Sequence, residues 1–443
     1  MENKLAKNFN FLSLIKFALP TIAMMIFLSL YLMVDGVFVA RFVNTDALSA
    51  INIVYPLYSL ILAVAVMLSS GGSALVAKKL GEQKSTEAKS DFTLLTIVSV
   101  IIVISISLIC LFFIKPIIYM LGADDTIYNY CYDYIVPILI CSPFYILQVF
   151  FLTFFIAAGK PYIGFTISFL GGTSNIIFDY VFIVLFDMGI TGAALGTVTG
   201  FLIQSMFGLY YFTFKRKGTL YFIKPVFSIY VILKSCSNGV AEMIGNLAVS
   251  ITTLLFNISM MKMLGVDGVA AITIVFYAEF ILTSIFYGYA SGVAPVFSYN
   301  YGSKNVYQLK KIFKISMSFI FLTSILIYII SIPSSSHIIK IFALKDSNVF
   351  NIALKGFYIF AFSFFFTGTN IFSAALFTAL SNGKVAAIIS LMRTFVFLVF
   401  AILILPLIFN VNGLWFAVPL AEILSITVSL FYFIKYRKVY NYF

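Results

Sequence analysis

Residues 92–114 read FTLLTIVSVIIVISISLICLFFI, a run of 23 residues without a charge. About 20 apolar residues, each rising 1.5 Å, cross the ~30 Å of hydrocarbon in a bilayer, so this stretch predicts a transmembrane helix. Eleven comparable runs flank it, near 14–39, 51–76, 131–157, 162–187, 190–213, 231–261, 270–298, 312–332, 352–380, 384–408 and 411–434. Composition agrees: of 443 residues, 62% are hydrophobic and 10% charged, with a mean hydropathy of +1.08. A water-soluble domain carries about 25% charged residues. We therefore expect an all-α integral membrane protein with twelve transmembrane helices.

The net charge of +12 does not form a single basic patch of the kind that binds nucleic acid. The basic residues recur in short segments between apolar runs, which is the pattern that sets membrane topology. With the N-terminus inside, 21 of the 28 lysines and arginines fall on the inner segments. Six fall outside (Arg41, Lys115, Lys262, Lys340, Lys345, Lys355), and Arg393 lies within a span. That imbalance puts both termini of a multi-pass membrane protein in the cytoplasm, and four arginines (Arg41, Arg216, Arg393, Arg437) against 24 lysines hint at an AT-rich bacterial genome, hence at a bacterial cytoplasmic membrane. Lys4, Lys7 and Lys16 precede a run longer than a signal peptide, so the first run is expected to remain as a helix. Cys110, Cys131, Cys141 and Cys236 sit in or beside apolar runs without metal-ligand spacing, and the lone histidine, His337, is expected in a loop. One histidine supports neither a zinc site nor a His-box enzyme.

The chain repeats itself. A shift of 221 residues lays Asp46 on Asp267, Ala50 on Ala271, Ile51 on Ile272, Ile53 on Ile274 and Val54 on Val275. Gly71 then falls on Gly292 and Gly81 on Gly302, while Gly159-Lys160 meets Gly383-Lys384 three residues further on. Six spans per half is an even number, so the halves share one topology and a pseudo-two-fold axis along the membrane normal. We expect two six-helix lobes, 1–213 and 231–443, joined by a cytoplasmic linker at 214–230.

Polar residues inside the spans mark the chemistry, because an ionisable group at membrane depth is costly and is a functional candidate by default. By helical rise, Asp35, Asn175, Asp179 and Thr197 reach a similar depth in the outer part of the first half. Asn175 and Asp179 are four apart, on one helix face. Two carboxylates, an amide and a hydroxyl form a hard-oxygen set suited to a small cation or a shared proton. Asn and Thr alone also serve as interhelical hydrogen-bonding groups. Glu242 and Glu279 either line a pathway for cationic compounds or pair with neighbouring amides such as Asn246. Arg393 and Glu422 lie mid-span in neighbouring antiparallel helices and read as a structural ion pair. Gln148 and Gln204 are interhelical links or cavity lining. Tyr31, Tyr55 and Tyr277 are candidates to face planar cations.

Several stretches resemble the multidrug and toxic compound extrusion (MATE) family. Asp35-Gly36-Val37-Phe38-Val39-Ala40 is similar to the family's first-helix signature, and Gly71-Gly72 through Leu80-Gly81 to the segment after its second span. Asn175-Ile-Ile-Phe-Asp179 followed by Gly189-Ile190-Thr191-Gly192-Ala193-Ala194 resembles the fifth-to-sixth helix motif, and Tyr299-Asn300-Tyr301-Gly302 is also familiar. Taken in order, these pieces point to the DinF branch, near its MepA-like members. The resemblance implies a cation-coupling site, for H+ or Na+, at Asp35, Asn175, Asp179 and Thr197. It also implies that Pro20 is a hinge in the first helix, against the alternative of a static kink. The chain departs from the NorM branch: Asn370 and Thr369 stand in span 10 without a carboxylate, which argues against a NorM-style sodium site in the second lobe.

We expect a secondary antiporter that works as a monomer. It would export cationic or amphipathic drugs in exchange for H+ or Na+ by rocker-switch alternating access, without a cofactor. A lipid or lipid-linked oligosaccharide flippase of the same superfamily is the alternative; such proteins need a more cationic cavity. No Gly-x-Ser-x-Gly, His-box or nucleotide-binding loop is present, which speaks against an integral-membrane enzyme and against direct use of ATP.

Overall fold

The computed structural model describes residues 4–43, 45–345 and 347–443, leaving aside the side chains at 32, 33, 35–37, 40, 41, 45 and 48. Among the described residues, fourteen α-helices follow one another: α1 (Phe11–Phe42), α2 (Thr45–Gly81), α3 (Ser85–Phe112), α4 (Ile114–Met120), α5 (Tyr128–Ile140), α6 (Ser142–Ala157), α7 (Pro161–Asp179), α8 (Gly189–Phe214), α9 (Ile229–Gly302), α10 (Val306–Lys340), α11 (Asn348–Phe360), α12 (Phe364–Ala379), α13 (Gly383–Leu391) and α14 (Phe397–Tyr440). Lipid cannot hydrogen-bond a peptide group, so a chain this apolar satisfies its backbone inside helices.

Two of these helices are hairpins. Gly239 and Gly302 of α9 both touch α2, at Met67–Gly71 and at Lys78. Sixty-three residues of continuous helix would hold them ~95 Å apart, so α9 must double back. It does so at Gly265 (φ 66°, ψ −153°), a conformation that glycine adopts without penalty. Likewise Arg393 and Glu422, 29 residues apart, are in contact. The chain reverses between them at Asn410 (φ 52°, ψ −136°). Nine helices among the described residues are long and apolar enough to cross a membrane, or ten with α5–α6 as one crossing bent by 59°. The two hairpins bring the arrangement into accord with the twelve expected crossings. Pro137 within α5 and Pro143 at the start of α6 flank the bend at Cys141 and explain it. His337, expected in a loop, lies instead in the last turns of α10, whose apolar pattern carries the helix past Pro333.

The repeat is visible in the backbone. Three left-handed residues have counterparts in the second half: Gln83 and Lys304 (φ 63° and 55°), Gly159 and Ser381 (72° and 60°), Asp187 and Asn410 (53° and 52°). Their separations, 83 to 304, 159 to 381 and 187 to 410, drift from 221 to 223. Turn geometry therefore pairs Gly159 with Ser381, two residues from the Gly159–Gly383 pairing suggested by residue identity.

The halves meet in close backbone contact. A Cβ on Gly81 would lie 2.0 Å from the Tyr299 carbonyl oxygen, and one on Gly302 would lie 2.1 Å from that of Lys78. A shift of 221 residues carries Gly81 onto Gly302 and Lys78 onto Tyr299, so one pair maps onto the other and the contact is isologous about the pseudo-two-fold axis. Above it, Gly71 and Gly239 seat each other's helices in the same way. Only residues without a side chain permit such approach between helices. The segment between α8 and α9 is not helical, yet it is anchored: Phe222 stacks on Phe92 at 5.0 Å, and the Ile223 and Val226 N–H groups donate to Thr93 and Ser90 of α3.

Candidate functional site

In the first half, α7 and α8 are pressed together by glycines. A Cβ at Gly196 would lie 1.9 Å from Asp179 Oδ1, one at Gly171 would lie 2.2 Å from the Gln204 amide, and one at Gly200 would lie 3.1 Å from the Gly171 carbonyl. The Asp179 carboxylate therefore occupies the space that a side chain at 196 would fill. It is fully buried, and Asn175 one turn earlier is 4% exposed. Directly after Asp179 the helix widens into a π turn, Tyr180–Leu185, a local irregularity frequent at functional sites.

A cavity of about 130 Å³ opens beside this packing, lined by Tyr31, Tyr55, Tyr58 and Tyr134 together with Asn175, Thr197 and Gln204. Asn175 Oδ1, Thr197 Oγ1 and Gln204 Oε1 are buried and make no hydrogen bond with any described residue. Buried acceptors are rarely left so, and each forfeits about 1–3 kcal/mol until a proton donor, water or cation meets it. Helix α1 closes the wall, with Phe27 and Tyr31 packed on Gly172. Asp35 follows four residues beyond Tyr31 on α1, about 6 Å further along the helix axis. The Asp35 side chain lies outside the described residues.

The second half holds a different centre. Arg393 Nε donates to Glu422 Oε1 at 2.8 Å, and Asn370 Nδ2 donates to Glu422 Oε2 at 2.6 Å and to its carbonyl at 2.9 Å. Ser429 Oγ completes the chain by donating to Asn370 Oδ1 at 2.9 Å. Arg393 sits in a second π turn, Met392–Val396. Glu279 lies within electrostatic range of both Glu422 and Arg393, and Glu242 within range of Arg393. Of these three carboxylates, Glu422 is the one in contact with the guanidinium.

The MatE family model matches residues 20–181 and again 241–404. The second match starts at 241 against 20 for the first, a shift of 221, the same as the sequence repeat.

The chain belongs to the MatE family.

The family is one of membrane transporters, not enzymes. Among its relatives is a protein of Staphylococcus saprophyticus named multidrug export protein MepA. It is 22% identical over 408 residues, covering 91% of this chain and 88% of the relative. Among solved structures, a MATE protein in complex with MaL6 superposes with a TM-score of 0.94 at 19% identity, over 99% of both chains. An outward-facing multidrug resistance MATE family transporter of the MOP superfamily gives 0.92 at 20% identity, over 98% of this chain and 97% of the other. The all-α, two-lobed membrane fold read from the sequence is that of these neighbours.

Several expected site residues of this MatE chain are found together. Asn175, Thr197 and Tyr31 share the cavity, and Asp179 packs one turn away from Asn175. Arg393 and Glu422 are paired as expected. Pro20 lies within α1, which runs on through it. Asn246 donates to the Glu242 backbone carbonyl at 2.8 Å, one turn back on its own helix, and not to a carboxylate. Gln148 is 4% exposed on α6, away from the cavity lining, whereas Gln204 is part of it. Two features were not anticipated. Asn370 bonds Glu422 directly, a contact that distance in sequence conceals. Lys79 contacts buried Asp91 at 2.7 Å and Glu87 at 3.1 Å. The (i, i+4) spacing of Glu87 and Asp91, beside the lysines ending α2, is the sequence signal for that cluster.

Proposed function

We propose that the protein is a multidrug efflux antiporter of the cytoplasmic membrane. In this reading it exports cationic or amphipathic compounds in exchange for H+ or Na+. The observation that carries the proposal is the buried Asp179 carboxylate beside a tyrosine-walled cavity whose Asn175, Thr197 and Gln204 oxygens have no donor among the described residues. The donor set is all hard oxygen, which suits a proton or Na+. Aromatic walls suit a planar organic cation. The name of the MepA relatives supports the same substrate class.

In the proposed cycle, Asp35, Asn175, Asp179 and Thr197 take the coupling ion from outside, where the membrane potential favours cation entry. Neutralising the carboxylates removes the attraction for a cationic drug and changes the preferred form of α1, with Pro20 as its hinge. The lobes 1–213 and 231–443 then rock about the glycine contacts, with 214–230 as the linker, and the ion leaves on the cytoplasmic side. Glu242 and Glu279 are proposed to hold drug along the second lobe, and Arg393 with Glu422 to brace it. A lipid-linked oligosaccharide flippase is the less favoured reading, because the second lobe's spans carry three carboxylates, Glu242, Glu279 and Glu422, against one arginine, Arg393, which is paired with Glu422. Ethidium efflux from cells expressing the chain tests the proposal: efflux lost in Asp35→Asn with normal expression is expected, and full efflux by that variant contradicts the role of Asp35.

A further inference from the structure

We propose that residues Lys4–Asn10 form a strap that holds the two lobes together at the face bearing the termini and must release one of them for the transporter to open there. The inference rests on the alternating-access reading above. This segment precedes α1 and spans no membrane, yet it touches both lobes.

On one side it is sunk into the C-terminal lobe. Leu5 (0% exposed) and Phe9 (2%) are four residues apart, and both belong to the core built by α9, α10 and α12. The Gln308 side-chain amide, in the first turn of α10, donates to the Phe9 carbonyl at 3.2 Å. Asn10 and Ser13 then close a reciprocal cap that fixes where the strap ends and α1 begins.

The other side is the turn between α6 and α7, in the N-terminal lobe. A Cβ on Gly159 would lie 3.1 Å from that of Lys4, so the left-handed glycine (φ 72°) leaves room for the strap backbone. The Lys4 ammonium stands 5.2 Å from the centre of the Tyr162 ring. Tyr162 is about half exposed, so this cation–π contact is wet and weak.

The asymmetry gives the strap its direction. Among the described residues, two buried apolar side chains and a hydrogen bond hold it to the C-terminal lobe, against a half-exposed cation–π contact and a backbone approach on the other. It lies at the same end of the bundle as the Gly81–Tyr299 and Gly302–Lys78 contacts, where the helices of the two lobes touch. When those contacts part, the strap stays with α10 and leaves Gly159–Tyr162.

The test uses the full chain with its four cysteines replaced by alanine, carrying Lys4→Cys and Tyr162→Cys and reconstituted in proteoliposomes. Bridging the pair with a short bis-maleimide is expected to cut ethidium transport at least tenfold, while either single-cysteine protein treated alike keeps its rate. Unchanged transport in the bridged protein, with the unbridged protein active, overturns the strap. A second measurement needs no transport: spin labels at positions 4 and 162 should give two distances across pH 5 to 8, and labels at 4 and 310 a single one. One distance for both pairs overturns the proposal as well. If the parent protein moves no ethidium, the drug-export reading fails, and the spin-label pairs still decide the strap.

Discussion

The two buried charge centres behave differently because their neighbours differ. Glu422 has a partner for each oxygen: Arg393 on one and Asn370 on the other. Removing the guanidinium strands a carboxylate away from water, so Arg393→Leu should destabilise the protein by about 3–5 kcal/mol, and Arg393→Leu with Glu422→Leu should recover most of that loss. Thermal unfolding in detergent distinguishes the two; a single variant as stable as the parent would show that the pair is not desolvated. The Asn175 Oδ1 and Thr197 Oγ1 oxygens buried near Asp179 accept no hydrogen bond from any described residue, and asparagine has nearly the shape of the aspartate it would replace. Asp179→Asn is therefore expected to keep the fold, with an unfolding temperature within a few degrees of the parent, and to lose ion-driven drug transport. The pairing of Arg393 with Glu422 was legible because a short turn makes their helices neighbours. The Asn370 bond was not legible, because no sequence spacing reports which helix faces which.

Helix boundaries were legible almost throughout, because lipid imposes one length and one kind of residue on every crossing. What hydropathy does not report is where a helix bends or widens. The break at Cys141 lies between Pro137 and Pro143, and π turns follow Asp179 and surround Arg393; none of these changes the mean hydropathy of its run. Glycine placement is the element-scale feature with the sharpest consequence. Gly196 gives its space to the Asp179 carboxylate, so Gly196→Ala should push α7 from α8, cost about 1–3 kcal/mol as overpacking does, and abolish transport. A Cβ on Gly245, by contrast, would meet no described atom within 4 Å beyond its own stretch of helix. Gly245→Ala should therefore be neutral or stabilise α9 by up to about 1 kcal/mol, the difference in helix propensity. Equal losses at both positions, measured by thermal unfolding and ethidium efflux, would mean that the α7–α8 contact has no special role.

At the scale of the whole molecule, the two halves are one design used twice. Their left-handed turns recur at near-constant spacing, and their glycines meet across the axis. The sequence carried the 221-residue repeat because glycines at close contacts and turns tolerate little replacement. It missed the one- and two-residue drift, since a serine at 381 does the work of the glycine at 159. Helix contacts and the strap hold the lobes closed at the face bearing the termini, while the charged centres lie apart, one in each lobe. In the proposed cycle the lobes move relative to each other, and the acidic centre of the first lobe links that motion to an ion. The most direct test loads purified protein into proteoliposomes and follows ethidium movement under an imposed pH gradient and, separately, an imposed sodium gradient. The parent should move ethidium against the flow of one of these ions, and Asp179→Asn should move it under neither. Ethidium transport by Asp179→Asn at the parent's gradient-dependent rate would contradict the coupling role of that carboxylate.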